Sequence, residues 1–151
     1  MMLLVFTLDD WRYALELSGV ERVYRSAAIT PLPEAPDIVL GIINIKGAVL
    51  PVMNVRRRFR LPEKRLSLDD RMIVARAAER TVLLLVDSIM GVIDCTDGDI
   101  TAADTVMPGF DFVTGVVRLK DGMVLIHNLS GFLALDEART LDLALGNLPN
   151  E

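Results

Sequence analysis

Short aliphatic runs recur along the whole chain and are separated by turn residues, which is the pattern of strands rather than helices. In "WRYALEL" the alternation has period two: Trp11, Tyr13, Leu15 and Leu17 share one face, and Arg12, Ala14 and Glu16 take the other. This predicts a half-buried strand. "LLVFTL" precedes it, and Asp9-Asp10 between the two supplies a tight hairpin turn. Further along, "DIVLGIINI" and "AVLPVMNV" flank a polar kink, Asn44-Ile45-Lys46-Gly47, in which the glycine provides the positive φ a turn needs. Pro51 cannot donate to a ladder, so its strand is expected at an edge or with a bulge there. "VRRRF" breaks the strand period and suits a short helical turn, and "RLPEKRLSLDD" reads as a polar connector. Two more hairpins follow: "RMIVARA" and "TVLLLVD" around Ala78-Glu79-Arg80, then "VTGVVRLK" and "MVLIHNL" around Asp121-Gly122. From Leu135 the period becomes helical, with Asp136 as the expected cap, Ala138, Leu141 and Leu145 on one face, and Gly146 as the stop.

The hairpins are related to one another. "GIINIKGAVLPVMNV" aligns with "GVVRLKDGMVLIHNL", matching Gly41 to Gly115 and Asn54 to Asn128, both at an offset of 74 (115 − 41 and 128 − 54). "ALELSGVERV" aligns with "LLLVDSIMGV", matching Ser18 to Asp87 and Val20 to Ile89 at an offset of 69 (89 − 20). An internal duplication of about five strands per copy implies a mainly all-β fold of two small barrels sharing a seam, since closure removes open strand edges. The expected organisation is a single domain over 1–151, with halves of about 1–65 and 66–134 and a C-terminal helix over 135–146. A single β-sandwich is the competing arrangement.

Composition narrows the function more than the fold. The 151 residues are 52% hydrophobic with a mean hydropathy of +0.40 but only 5% aromatic, so the interior is branched aliphatic. No apolar run approaches the length of a transmembrane span, and "MMLLVFTLDD" lacks the basic flank of a signal peptide. A cytoplasmic protein with no direct membrane insertion is expected. A net charge of −5 and a pI near 4.9 repel phosphate backbones, which argues against nucleic-acid binding. Cys95 stands alone, excluding an intrachain disulfide or a Cys-x-x-Cys site, and is expected to be a buried thiol. His127 is the only histidine and has apolar strand neighbours, which points to a structural role and leaves no multi-histidine metal site. No nucleophile elbow, phosphate loop or dinucleotide fingerprint is present, so no catalytic residue is assigned and neither metal nor cofactor is expected. Asp94, Asp97, Asp99 and Asp104 lack the spacing of a calcium loop and read as turn acids. Arg56, Arg57, Arg58 and Arg60 read as a solvated basic face, with an acidic protein as the alternative partner.

Taken together, "YALELSGVERVYRSAAITPLPEAPDIVLGIINIKGAVLPVMNVRRRFRLP" and "VLLLVDSIMGVIDC" resemble the CheW family of bacterial chemotaxis coupling proteins over about residues 3 to 134. The most specific part is the Gly-(Ile/Val)-Ile-Asn-(Leu/Ile)-(Arg/Lys)-Gly run followed by (Val/Ile)-x-Pro-Val. The resemblance implies two SH3-like five-stranded barrels and a non-catalytic adaptor that joins the cytoplasmic tips of chemoreceptors to the regulatory domain of a CheA-type histidine kinase, at receptor arrays on the inner face of the membrane. By position it implies a protein-binding surface at Val20, Arg22, Val23, Gly41, Asn44 and Lys46, with Ser88 near the seam. Ile43, Val49 and Val52 are its expected support. Two departures stand out: Lys46 replaces the family's usual arginine, whose planar fork binds a carboxylate in a way an ammonium does not, and Arg22 stands where an acid is common. The resemblance leaves open which pathway is served, flagellar or another chemosensory output. On fold alone an oligonucleotide-binding barrel is the next reading, and a small enzyme using His127 the last.

Overall fold

The aliphatic runs do pair as strands, and the pairing crosses the midpoint of the chain. The computed structural model describes residues 1–77, 79–102, 113–129 and 132–148. In chain order the elements are β1 (Met2–Leu8), β2 (Trp11–Glu16), β3 (Val20–Arg25), β4 (Val39–Ile45), β5 (Ala48–Met53), α1 (Val55–Arg58), β6 (Arg71–Ala77), β7 (Arg80–Val86), β8 (Ser88–Asp94), β9 (Ile100–Ala102), β10 (Val113–Leu119), β11 (Gly122–His127) and α2 (Leu135–Gly146). One sheet has six strands in the order β8-β1-β2-β11-β10-β9, and the other has five in the order β3-β6-β7-β5-β4.

The two sheets are therefore not the two halves 1–65 and 66–134, which is a correction to the sequence-based division. The hairpin β1–β2 enters the six-stranded sheet of the second half, and β6–β7 enters the five-stranded sheet of the first. Exchange lets each donated hairpin bury both faces. Leu3, Val5 and Ala14 fill the interior of the six-stranded barrel, while Leu4, Phe6, Leu8, Tyr13 and Leu15 face a core shared by both sheets. Met72, Val74 and Leu83 do the same inside the five-stranded barrel, with Ile73, Ala75, Val82 and Leu84 at the shared seam. The small face of "WRYALEL" is thus not solvated, because Ala14 is fully buried.

The duplication extends to irregularities. A parallel contact joins β5 to β7 at Val52–Leu83, and its counterpart joins β11 to β2 at Ile126–Ala14, in keeping with the offsets of 74 and 69. A bulge between Val39 and Gly41 on β4 recurs between Val113 and Gly115 on β10. The sixth strand, β9, pairs Thr101 with Val116, where the other copy has only an isolated bridge between Thr30 and Ile42. That bridge also explains Pro51. The Ile42 N–H and C=O both bond to Thr30, so Pro51 opposite Ile42 owes no hydrogen bond to β4, and the pairing of β5 with β7 begins only at Val52.

Turn chemistry follows expectation at Asp9-Asp10 and Lys46-Gly47, each a two-residue link between paired strands; in the last hairpin the link is Lys120-Asp121, one residue earlier than expected, because Gly122 already pairs with Leu119 in β11. Asp9 and Lys46 both adopt positive φ, at 53° and 52°. Of the third turn, Glu79 lies between Ala77 and Arg80, which pair, and Ala78 lies outside the described residues. In α2 the cap differs from expectation: Asp136 sits in the first turn, and Glu137 reaches back to accept the Ala134 N–H at 2.9 Å. Leu141 and Ala144 are its buried face.

Candidate functional site

The five-stranded barrel carries a shaped opening at its mouth. Strand β3 is an edge, and the β4–β5 hairpin projects its tip from the other edge of the same sheet. Between them lies a groove of about 420 Å³, with Arg22 and Tyr24 from β3, Lys46 at the hairpin tip, and Ile45, Leu50, Val74 and Thr81 along the floor and far wall. Arg22 pairs with Val74 and Tyr24 with Met72, so both side chains stand on the barrel-interior face of the edge strand. Asn44 holds the tip: its Oδ1 accepts the Gly47 N–H at 2.9 Å, fixing the turn that carries Lys46 into solvent. Arg22 and Lys46 make no hydrogen bond or ion pair among the described residues, although most other arginines do. The groove can bind an anion-bearing chain segment over an apolar floor.

The structure brings Arg22 and Lys46 to this groove and sorts the other sequence-derived positions elsewhere. Val20 is half-buried against the shared core, and Val23 is exposed on the opposite face of β3, across from Ile73. Gly41 is a packing requirement: a Cβ there would meet Ile29 Cγ2 at 2.6 Å and the Thr30 carbonyl closer still. Gly115, its counterpart, meets Ile100 Cγ2 at 2.7 Å in the same way. Ser88 lies on β8 in the other sheet, its hydroxyl 2.6 Å from that of Thr7. Ile43 and Val52 pack inside the five-stranded barrel, whereas Val49 is exposed. Tyr24, Leu50 and Thr81 were not singled out in the sequence, and the offset of 69 between Thr81 and Arg12 is the signal that could have drawn attention to one of them.

A family model for the CheW-like domain matches residues 2–137. The chain belongs to the CheW-like domain family. It is 28% identical over 137 residues to the chemotaxis protein CheW of Rhizobium meliloti, covering 89% of this chain and 88% of that one. The CheW of Thermotoga maritima is 30% identical over 128 residues, covering 82% and 81%. FrzA of Myxococcus xanthus is 26% identical over 140 residues, covering 89% and 84%. Among solved structures, the scaffolding protein TtCheW from Thermoanaerobacter tengcongensis superposes with a TM-score of 0.82 at 28% identity, covering 90% of this chain and 94% of that one.

In this CheW-like domain the basic run divides: Arg57 and Arg60 are exposed as a solvated face would have them, whereas Arg56 and Arg58 are drawn into ion pairs. Arg56 is 8% exposed and forks between two carboxylates, Asp9 Oδ1 and Asp87 Oδ2, each at 2.7 Å, while also donating to the Pro62 carbonyl at 3.0 Å. Lys64 continues the network to Asp70 at 2.6 Å and Asp87 at 3.4 Å. Asp9 sits in the β1–β2 turn of one barrel and Arg56 follows β5 of the other, so the network clips the barrels together. Burial disfavours the Asp87 carboxylate, but hydrogen bonds from Arg56 and the Asp9 N–H, with the charges of Arg56 and Lys64, outweigh it and hold the group below its usual range. Arg58 meets Glu137 at 2.6 Å and lies over the Phe132 ring, tying α1 to α2.

His127 is walled by Phe59 and Phe132, both edge-on, with ring centroids at 4.7 and 5.2 Å. Neither ring nitrogen has a hydrogen-bond partner among the described residues, and burial pushes its pKa down to about 3. Burial, with a contribution from Asp9, similarly pushes the nearby Tyr13 hydroxyl up to about 12. Cys95 is buried inside the six-stranded barrel. Asp99 accepts the Thr96 N–H at 3.0 Å in a 3-10 turn, and Asp104 lies outside the described residues. Among the described residues no three metal-ligating side chains gather, and no helix is long and apolar enough to cross a membrane.

Proposed function

We propose that this CheW-like protein is a non-catalytic coupling adaptor that joins chemoreceptor cytoplasmic tips to the regulatory domain of a CheA-type histidine kinase, at receptor arrays on the inner face of the membrane. The observation that carries the reading is the family match over residues 2–137 to relatives named as chemotaxis proteins. The groove supports it from the chemistry side, because it is a shaped, exposed surface that carries two cations over an apolar floor. The receptor-facing surface is the groove with Arg22 and Lys46, its tip fixed by Asn44 and the packing of its hairpin by Gly41. An adaptor with two separate faces raises the local concentration of one partner near the other to the millimolar range. Control of the kinase then requires that receptor states differ in their affinity for the adaptor.

The test is co-purification of the full chain with a receptor cytoplasmic fragment and a kinase regulatory domain. A ternary complex is expected, and its absence with both partners folded overturns the reading. Lys46→Glu is expected to weaken receptor capture without changing the melting temperature.

A further inference from the structure

The duplication lets the far ends of the two barrels, away from the hairpin tips, be compared residue by residue. At that end of the six-stranded barrel lies a cleft of about 640 Å³, whose lining includes Glu16, Ser18, Thr114, Asn128 and Leu129. The offsets of 69 and 74 carry these five onto Leu85, Asp87, Leu40, Asn54 and Val55, which line the same end of the five-stranded barrel. There only about 30 Å³ is left.

What fills the five-stranded end is the connector between α1 and β6. Glu63 accepts from Asn54 Nδ2 at 3.2 Å, Lys64 donates to Asp70 at 2.6 Å and to Asp87 at 3.4 Å, and the Pro62 carbonyl accepts from Arg56 Nη1 at 3.0 Å. The other copy has no such connector among the described residues. There β11 is followed by α2, which buries Leu141 and Ala144 in the shared core instead of returning across the barrel end. The cleft stays open over the buried Leu15, Ile126 and Leu129. At two positions its lining has a charge where the duplicate has none: Glu16 stands in place of Leu85, and Arg76 in place of Thr7. The Glu16 carboxylate makes no hydrogen bond or ion pair among the described residues, and Arg76 reaches only the Glu79 carbonyl, at 3.5 Å. Such exposed charges add little to folding, and the volume falls within the range of clefts that hold ligands.

We infer that this cleft is a third binding site, which takes an extended segment of a partner protein carrying an acidic and a basic residue side by side. The segment lies as Pro62-Glu63-Lys64 lies in the other barrel, with its base on Glu16 and its acid on Arg76. One barrel end is thus plugged in cis and the other in trans. The cleft shares no residue with the groove of Arg22 and Lys46, so the inference goes beyond the adaptor reading and does not depend on it.

A peptide with the sequence of Leu61–Asp70 is the probe, because in the full chain the connector already fills its own barrel end and leaves the open cleft to the peptide. Followed by amide NMR, titration is expected to shift Leu15 to Gly19 and Ile126 to Leu129 saturably, and to leave Asn54 and Asp87 in place. Glu16→Lys is expected to weaken binding by about threefold, the worth of one exposed pair, and Lys64→Glu in the peptide to restore it. Ser18→Trp fills the cleft and is expected to abolish binding. Both protein variants are expected to keep the melting temperature and the capture of receptor fragment and kinase domain. No saturable shift in the wild type, shifts confined to Asn54 and Asp87, equal binding by both variants, or a charge change that does not rescue overturns the inference. So does displacement of the peptide by the receptor fragment or the kinase domain, because the cleft would then belong to a face the adaptor already uses. A failed ternary complex with intact peptide binding would end the adaptor reading and leave this site standing.

Discussion

Arg22 and Arg56 carry the same guanidinium, and the fold treats them in opposite ways. Arg56 is buried with all of its charge answered by Asp9, Asp87 and the Pro62 carbonyl; Arg22 is exposed beside a groove and answered by nothing among the described residues. Desolvating a charge is tolerated only with such partners, so Arg56 reports on how the barrels are held together. An unanswered cation on a shaped surface contributes little to folding and is free to meet a partner. The difference separates structural charge from functional charge within one basic complement, and each variant below either breaks that division or makes it sharper.

The largest effect is expected at the clip. Arg56→Ala strands Asp9 and Asp87 beside each other, and breaking a buried pair costs about 3 kcal/mol, the low end of its range, because Asp9 keeps contact with water. Arg56→Lys is expected to fall between, since one ammonium cannot fork between two carboxylates and a carbonyl. Urea unfolding measures both. A loss below about 1 kcal/mol for Arg56→Ala would place this arginine in the same class as Arg22.

How far such a division can be read from a sequence depends on whether the deciding contact is local. The hairpins at Asp9-Asp10 and Lys46-Gly47 were legible because two adjacent residues set each turn, and the last was legible to within one residue, its link being Lys120-Asp121. The duplication was legible as a fixed offset. The exchange of β1–β2 and β6–β7 between sheets was not, because periodicity marks a strand but not a neighbour as distant in the chain as Leu125 is from Tyr13 or Ile73 from Val23. The same limit hid the clip: Arg56 stands among arginines and looks solvated until Asp9 and Asp87 arrive from other strands. Arg22 and Lys46 were named from the family pattern, while the short side chain at Thr81 acquires meaning only when it is set against Arg12 in space.

The next effect separates acid sensitivity of the core from that of the clip. His127 is neutral in its aromatic cage, with a pKa of about 3 against an ordinary value near 6.5. A folded value below the unfolded one means that the unfolded chain takes up the proton first, so stability declines as pH falls below about 6.5, at about 1.4 kcal/mol per pH unit. By pH 5 the loss is about 2 kcal/mol, and His127→Phe is expected to abolish it. The contribution of Asp87 runs through a lower window. Its folded value is depressed, so its stabilisation is intact above the ordinary carboxylate range and is lost only as pH falls below it. Melting temperatures from pH 7 to 3 for wild type, His127→Phe and Asp87→Asn resolve the two. Parallel curves for wild type and His127→Phe between pH 6.5 and 5 would refute the caged-imidazole assignment.

Removing the arginine that crosses the mouth of the six-stranded barrel has a smaller consequence: Arg12 Nη1 meets Asp121 Oδ1 at 3.1 Å and Nη2 donates to the Asp121 carbonyl at 2.8 Å. Arg12→Thr recreates at β2 what Thr81 already is at β7, exposing the six-stranded barrel mouth, and the lost pair has one well-solvated partner in Asp121. The expected cost is small, since an exposed pair contributes little to folding. An apolar dye that binds the variant and not the wild type would show that Arg12 is what closes that mouth. A fully stable variant that excludes the dye would mean that closure comes from elsewhere.

The smallest expected change has the opposite sign. Lys46 holds a φ of 52°, a left-handed conformation that costs an ordinary residue about 1 kcal/mol and that asparagine followed by glycine adopts readily in a two-residue hairpin. Nothing in the fold repays lysine there, since its ammonium meets no acid among the described residues and the turn is already pinned by Asn44. Lys46→Asn is therefore expected to stabilise the protein by a few tenths of a kcal/mol while weakening capture of the receptor fragment. Thermal melts and binding measured on the same preparation decide it. A gain in stability with a loss in binding identifies the left-handed lysine as a residue kept for its charge. A loss of stability would mean that its aliphatic stem packs on Leu50 and Ile45, and that the hairpin tip belongs with Arg56 on the structural side of the division.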